Sequence, residues 1–135
     1  MKNIYLTSTF TNKWNVEFNK KIGEALEKSG ITCYLPHRDT NQKGSDVEMF
    51  NQDIHAIKDS SMILAVALNE SPNFGAEIGY AYGIGKSIIA ITDKNHSIPL
   101  ICSGIMTEVL RFESLDSIEE YVDILVEKIK YYLNK

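Results

Sequence analysis

Short apolar runs alternating with amphipathic stretches constrain this chain more than any other feature. Lys2–Thr7, Ile31–Leu35, Met62–Leu68, Ser87–Thr92 and Val109–Phe112 are rich in β-branched and aromatic residues and read as buried strands. Between the first two, Trp14, Phe18, Ile22 and Leu26 recur at helical spacing, and Gly30 follows where a helix end favours glycine. Ser45–Asp59 carries Val47, Phe50, Ile54 and Ile57 on one face, and Phe74–Gly85 forms a third helix. Ile118, Val122, Leu125, Ile129 and Leu133 mark a closing amphipathic helix. The remaining connections read as loops: His37–Ser45 after Pro36, Asn69–Asn73, and a variable segment from Asp93 to Glu108.

Strands that alternate with helices need crossover connections, so the sheet is parallel and covered on both faces. Right-handed crossovers then favour a doubly wound, flavodoxin-like α/β fold with five strands and helices on both faces. A length of 135 residues, 44% of them hydrophobic and 24% charged, fits one domain spanning 1–135 with a real core. In such folds ligands collect beyond the carboxyl ends of the strands. Here those ends lead into Thr7–Phe10, Pro36–Ser45, Asn69–Asn73 and Asp93–Ser103.

Composition narrows the partners. A formal charge of −4, with no basic cluster longer than Lys20-Lys21, argues against a nucleic-acid polymer and leaves a small metabolite open. No apolar stretch approaches the roughly 20 residues of a membrane span and the N-terminus lacks a signal-peptide layout, so a cytoplasmic protein without membrane attachment is expected. Cys33 and Cys102 lack metal-type spacing and read as free thiols, and the three histidines are scattered. No metal or organic cofactor is expected.

The Gly-rich end of "SPNFGAEIGYAYGIGKSIIAI" invites a phosphate-loop reading, but Tyr80 stands where such a loop needs its first glycine. The glycines also follow a helical pattern and precede a strand, the reverse of the order that turns free N–H groups toward a phosphate. Gly83 and Gly85 therefore read as a helix end, with Lys86 as a last-turn cation facing the helix dipole. The carboxylates are the stronger candidates. With Asn73 as N-cap, Glu77 falls on the first turn of its helix, where the dipole favours the anion and where a purely structural acid would also sit. Asp53, on the preceding helix, can reach the same sheet edge. Two carboxylates flanking one bond are what glycosidic cleavage uses, one attacking the anomeric carbon and the other handling the leaving-group proton.

"NIYLTSTF" and "NQDIHAIKDSSMILAVALNESPNFGAEIGYAYGIGKSIIAI", with the strand-helix order between them, resemble the nucleoside 2-deoxyribosyltransferase family over most of the chain. Gly75-Ala76-Glu77-Ile78-Gly79-Tyr80-Ala81 looks like that family's Gly-x-Glu-x-Gly-Tyr-Ala signature. The resemblance implies that Glu77 is the nucleophile of a covalent glycosyl ester, Asp53 the second catalytic carboxylate, and Tyr5 the phenol that positions Glu77. Nucleoside-acting members carry an Asp six residues before the nucleophile, and here that place holds Ser71. A neutral donor there resembles the branch that hydrolyses nucleoside 5′-monophosphates, which also uses a serine after the first strand, matched by Ser8, and one lent by a neighbouring subunit, matched by Ser103.

Phe10 occupies the place of that branch's arginine, which leaves Arg38 as the alternative source of positive charge and Phe10 as a base-stacking surface. Asn73 and Gly75, at the helix start, complete the expected substrate-facing set. The implied assembly is a homodimer or a higher homo-oligomer, and the implied reaction is cleavage of a nucleotide or nucleoside N-glycosidic bond by hydrolysis or base exchange. Two alternatives share these features: a non-catalytic nucleotide-binding or signalling module on the same fold, and a nicotinamide-nucleotide glycohydrolase.

Overall fold

The alternation predicted from sequence is realised in the computed structural model, which describes residues 1–135. The elements run β1 (Ile4–Thr7), α1 (Lys13–Lys28), β2 (Cys33–Tyr34), α2 (Pro36–Asp39), α3 (Asp46–Asp59), β3 (Met62–Val66), α4 (Pro72–Gly83), β4 (Ile88–Asp93), α5 (Leu100–Gly104), β5 (Glu108–Phe112) and α6 (Ile118–Leu133). The strands form one parallel sheet in the order β2-β1-β3-β4-β5. That order reverses direction between β1 and β3, which makes this pair the switch point where a doubly wound sheet opens a crevice.

Alternation along the strands divides the interior in two. Ile4, Leu6, Leu64, Val66, Ile89 and Ile91 join Phe18, Ile22 and Leu26 of α1 and Leu125 and Ile129 of α6. Tyr5, Ile63, Ala65, Ala67, Ile88 and Ala90 meet Ala56 and Ile57 of α3 and Phe74, Ile78 and Ala81 of α4. The second face mixes alanines with larger apolar side chains and carries the Tyr5 phenol, with Tyr34 and Tyr80 packed at its margin.

Three local differences from the sequence expectations have clear causes. The loop after β2 begins with a short helix, α2, because Pro36 starts it and the Asp39 carboxylate accepts the Leu35 N–H. A second short helix, α5, lies inside the segment read as variable, with Pro99 fixing its entry. The N-cap of α4 is Ser71 rather than Asn73: its Oγ accepts from the Phe74 N–H and Pro72 fills the first turn, so the helix starts earlier than expected.

The Gly-Lys-Ser stretch is structural, as its spacing implied. Gly85 sits at φ +83°, a conformation that glycine tolerates best. Lys86, however, does not serve its own helix. Its ammonium donates to the carbonyls of Lys58 at 2.8 Å and Ser60 at 2.6 Å, so it closes the C-terminal end of α3.

Candidate active site

Tyr5 and Thr7 are two residues apart on β1 and so face the same side of the sheet, under α4. Each reaches one oxygen of the Glu77 carboxylate: Tyr5 Oη donates to Oε2 at 2.5 Å and Thr7 Oγ1 to Oε1 at 2.8 Å. Because α4 begins at Pro72, Glu77 lies on its second turn, beyond the first-turn reach of the helix dipole. Its anion is held by these two hydroxyls instead. Burial pushes the Glu77 carboxyl above the usual carboxylate range, the two hydrogen bonds oppose the rise, and the Asp53 charge adds to it. Burial, reinforced by the Glu77 charge, keeps the Tyr5 phenol firmly protonated, so it remains a donor at any physiological pH.

Asp53 belongs to the same electrostatic unit, since its charge acts on both Glu77 and Tyr5. Its Oδ1 accepts a 2.5 Å hydrogen bond from Thr40 Oγ1, and Thr40 in turn lies 2.7 Å from Tyr34 Oη. The Tyr34 ring stacks on Tyr5, with centroids 5.5 Å apart and planes 10° from parallel. Burial raises the Asp53 carboxyl, and the Thr40 bond opposes that rise. Two nearby carboxylates resist joint ionisation. Glu77 accepts two hydroxyl bonds and Asp53 one, and burial raises both carboxyls, so the two titrate as a coupled pair.

The remaining predicted residues fall into two groups. Ser71, Asn73 and Gly75 lie at the open start of α4; Asn73 is exposed, and nothing stands within 4 Å of where a Cβ on Gly75 would project. Phe10 is 42% exposed just beyond β1. Ser8, by contrast, is turned toward α1, where its Oγ accepts from Asn15 Nδ2 at 3.1 Å. Ser103 sits on α5, and its hydroxyl donates to Leu100 O. Arg38 is not free to supply charge to this site: its guanidinium is paired with Glu27 and Asp39 and also donates to Cys33 O. To replace the missing arginine, Arg38 would have to leave two carboxylates and a carbonyl.

Sequence reasoning missed Thr7, Tyr34 and Thr40 as site residues, and it missed Asn15 entirely. Period-two alternation from Tyr5 would have pointed to Thr7, whereas nothing local marks Thr40. Asn15, 0% exposed on α1, donates to Ser8 Oγ and Leu68 O and accepts from Asn69 Nδ2. It thereby ties the loop after β1 to the loop after β3, where Asn69 holds φ +56°. Thr9 Oγ1 adds a 2.7 Å bond to Asn69 O. Both loops border the carboxylates, so this buried polar clamp fixes the rim of the site.

Two clefts, of about 190 and 260 Å³, lie elsewhere: one by Trp14, Lys21 and Asp116, the other by Lys20, His37 and Arg38. No group of three or more His, Cys, Asp or Glu side chains is arranged to hold a metal ion, and no helix is long and apolar enough to cross a membrane.

The chain has relatives among known proteins. The family model for nucleoside 2-deoxyribosyltransferase matches residues 4–134. A putative 2′-deoxynucleoside 5′-phosphate N-hydrolase 1 from Thermofilum pendens is 26% identical over 113 residues, covering 78% of this chain and 79% of the relative. Among solved structures, the 2-deoxyribosyltransferase of Bacillus psychrosaccharolyticus superimposes with a TM-score of 0.72 at 21% identity, covering 91% of this chain and 94% of the other. The Clostridium botulinum CMP N-glycosidase BcmB gives 0.68 at 19% identity, covering 90% and 98%. Both structural likenesses establish the shared fold.

Proposed function

The chain belongs to the nucleoside 2-deoxyribosyltransferase family, a family of enzymes acting on nucleosides and nucleotides, and from that premise we propose that it hydrolyses the N-glycosidic bond of a nucleoside 5′-monophosphate through an ester at Glu77. The observation that carries this reading is the Glu77 carboxylate gripped at both oxygens by Tyr5 and Thr7, with a second carboxylate, Asp53, near enough for its charge to act on it. Glu77 attacks the anomeric carbon, and the glycosidic electron pair leaves on the base nitrogen, which takes the Asp53 proton. A water then adds to the same carbon, its proton passes to the Asp53 carboxylate, and the ester electrons return to Glu77. Both groups end as they began. If a second base enters instead of water, the same intermediate gives base exchange.

The Ser71 hydroxyl supports a phosphate as the distal group. Ser71 already accepts one bond, from Phe74 N–H, so it retains a proton to give to an acceptor-only ligand, whereas Ser8 is buried against Asn15. Ser71 also stands at the start of α4, where the helix dipole favours an anion. Nucleoside monophosphates are therefore expected to exceed the matching nucleosides in kcat/KM. Ser71→Asp should cut that preference about tenfold or more, since hydrogen bonds to charged groups are worth about 1.5–3 kcal/mol. A parent enzyme that prefers the unphosphorylated nucleoside would overturn the phosphate assignment.

We propose further that a second copy walls the site. Leu100 and Ile101 on α5 are 84% and 79% exposed, and Ser103 shares that short helix, so an α5 contact would cover apolar surface and bring a hydroxyl to a neighbour. The double variant Leu100→Glu/Ile101→Glu is expected to sediment as a monomer and to lose most of its turnover. A wild-type protein that sediments as an active monomer would refute the shared site.

A further inference from the structure

Thr40 lies in the connection between α2 and α3, within a loop beyond a strand's carboxyl end, where it is 5% exposed and its hydroxyl is wholly committed. Its Oγ1 is 2.5 Å from Asp53 Oδ1 and 2.7 Å from Tyr34 Oη. A hydroxyl has one proton. Thr40 spends that proton on Asp53, so the Tyr34 phenol must be the donor in the other contact. The result is a one-way chain, Tyr34 to Thr40 to Asp53 Oδ1, and Tyr34 is itself held by stacking on Tyr5, the residue that grips Glu77.

We infer that Thr40 is a positioning residue that reserves Oδ1 of Asp53 as an acceptor, leaves Oδ2 to carry the transferable proton, and sets the pH above which that proton is lost. The inference rests on the reading of Asp53 as the proton donor only where it touches turnover. An acceptor bond favours the charged carboxylate and opposes the effect of burial. The other titratable groups acting with Asp53 are Tyr5 on β1, Tyr34 on β2 and Glu77 on α4, and all of them become negative when they ionise. Both phenols stay neutral where a carboxyl titrates, so burial is what pushes Asp53 toward the protonated form, and Thr40 is the counterweight. Without it the proton can sit on either oxygen and is held more tightly.

The experiment is a carboxyl ¹³C titration of Asp53 by NMR, assigned by its absence in Asp53→Asn, in the parent protein and in Thr40→Val and Thr40→Ser. Thr40→Val is expected to move the Asp53 titration up by about one pH unit, a tenfold gain in proton affinity. Thr40→Ser restores the hydroxyl and should return it to the parental value. Tyr34→Phe, which strips only the far end of the chain, should move it upward by less. In kinetics, the high-pH limb of kcat/KM should shift upward with the titration in Thr40→Val, with a lower plateau because the proton is no longer confined to Oδ2. An Asp53 titration unchanged in a folded Thr40→Val protein would overturn the inference. A titration that moves while the kinetic limb stays in place would uphold Thr40's control of Asp53 and remove Asp53 as the proton donor.

Discussion

Glu77→Gln is expected to reduce base release by a factor on the order of 10⁴ or more, the scale on which loss of a nucleophile acts, while making the protein more stable at neutral pH. The amide keeps the shape of the side chain: its oxygen accepts from one hydroxyl and its NH2 donates to the other, whose own proton must turn to a new acceptor. What disappears is the charge. Burial holds the Glu77 carboxyl above the usual carboxylate range, so the folded protein binds this proton more tightly than the unfolded chain does. Stability then falls as pH rises from the unfolded value, about 4.3, through the folded one. Glu77→Gln escapes that loss. Its Tm should match the parent below about pH 4, where both side chains are neutral, and exceed it at pH 7. Thermal unfolding across this range checks the claim. A variant less stable than the parent at pH 7 would mean that the site favours the anion and stores no cost for catalysis.

Asp53→Asn has the second largest expected effect, and its signature is selective. Proton donation typically contributes 10²–10⁴-fold, so substrates with a poorly leaving base should slow by about that factor. Substrates with an activated leaving group need no proton and should fall by much less. The variant still accepts from Thr40 through its amide oxygen, so the geometry at Oδ1 survives. Paired kcat/KM values on the two substrate classes separate the roles. Equal loss on both would make Asp53 a positioning group rather than an acid.

These expectations depend on features that sequence reveals unevenly. The sheet was legible because Ile4-Tyr5-Leu6, Met62–Val66 and Ile88–Ile91 are continuous apolar runs with helical stretches between them, and that pattern has few packed solutions. Gly85 was legible as a helix end for the same local reason. Glu77 could be named through the signature around it and Tyr5 through the family-like first strand, and the fold places them 2.5 Å apart although 72 positions separate them in sequence.

Thr40, Asn15 and the capture of Arg38 were not legible, because each depends on where a loop lands. Arg38 reads as a free cation beside a phosphate site, yet it meets Glu27 from α1, and no spacing rule brings those two together. The start of α4 was misplaced by the choice of Asn73 over Ser71, two residues that are equally good caps; Pro72 decides the matter by favouring the first helical turn. That small shift moves Glu77 from the first turn to the second. It transfers the stabilisation of its charge from the helix dipole to two hydroxyls on β1.

The most direct test of the account is to look for the covalent bond. A nucleotide analogue with fluorine at the 2′ carbon destabilises the oxocarbenium-like transition states of both steps, and with a good leaving base the first step still proceeds, so the ester accumulates. Intact-protein mass spectrometry should then show the protein increased by one fluorosugar phosphate, and peptide mapping should place the increment on Glu77, with none on Glu77→Gln. Steady turnover of a natural substrate with no adduct from such an analogue, or an adduct on any other residue, would contradict the proposed mechanism.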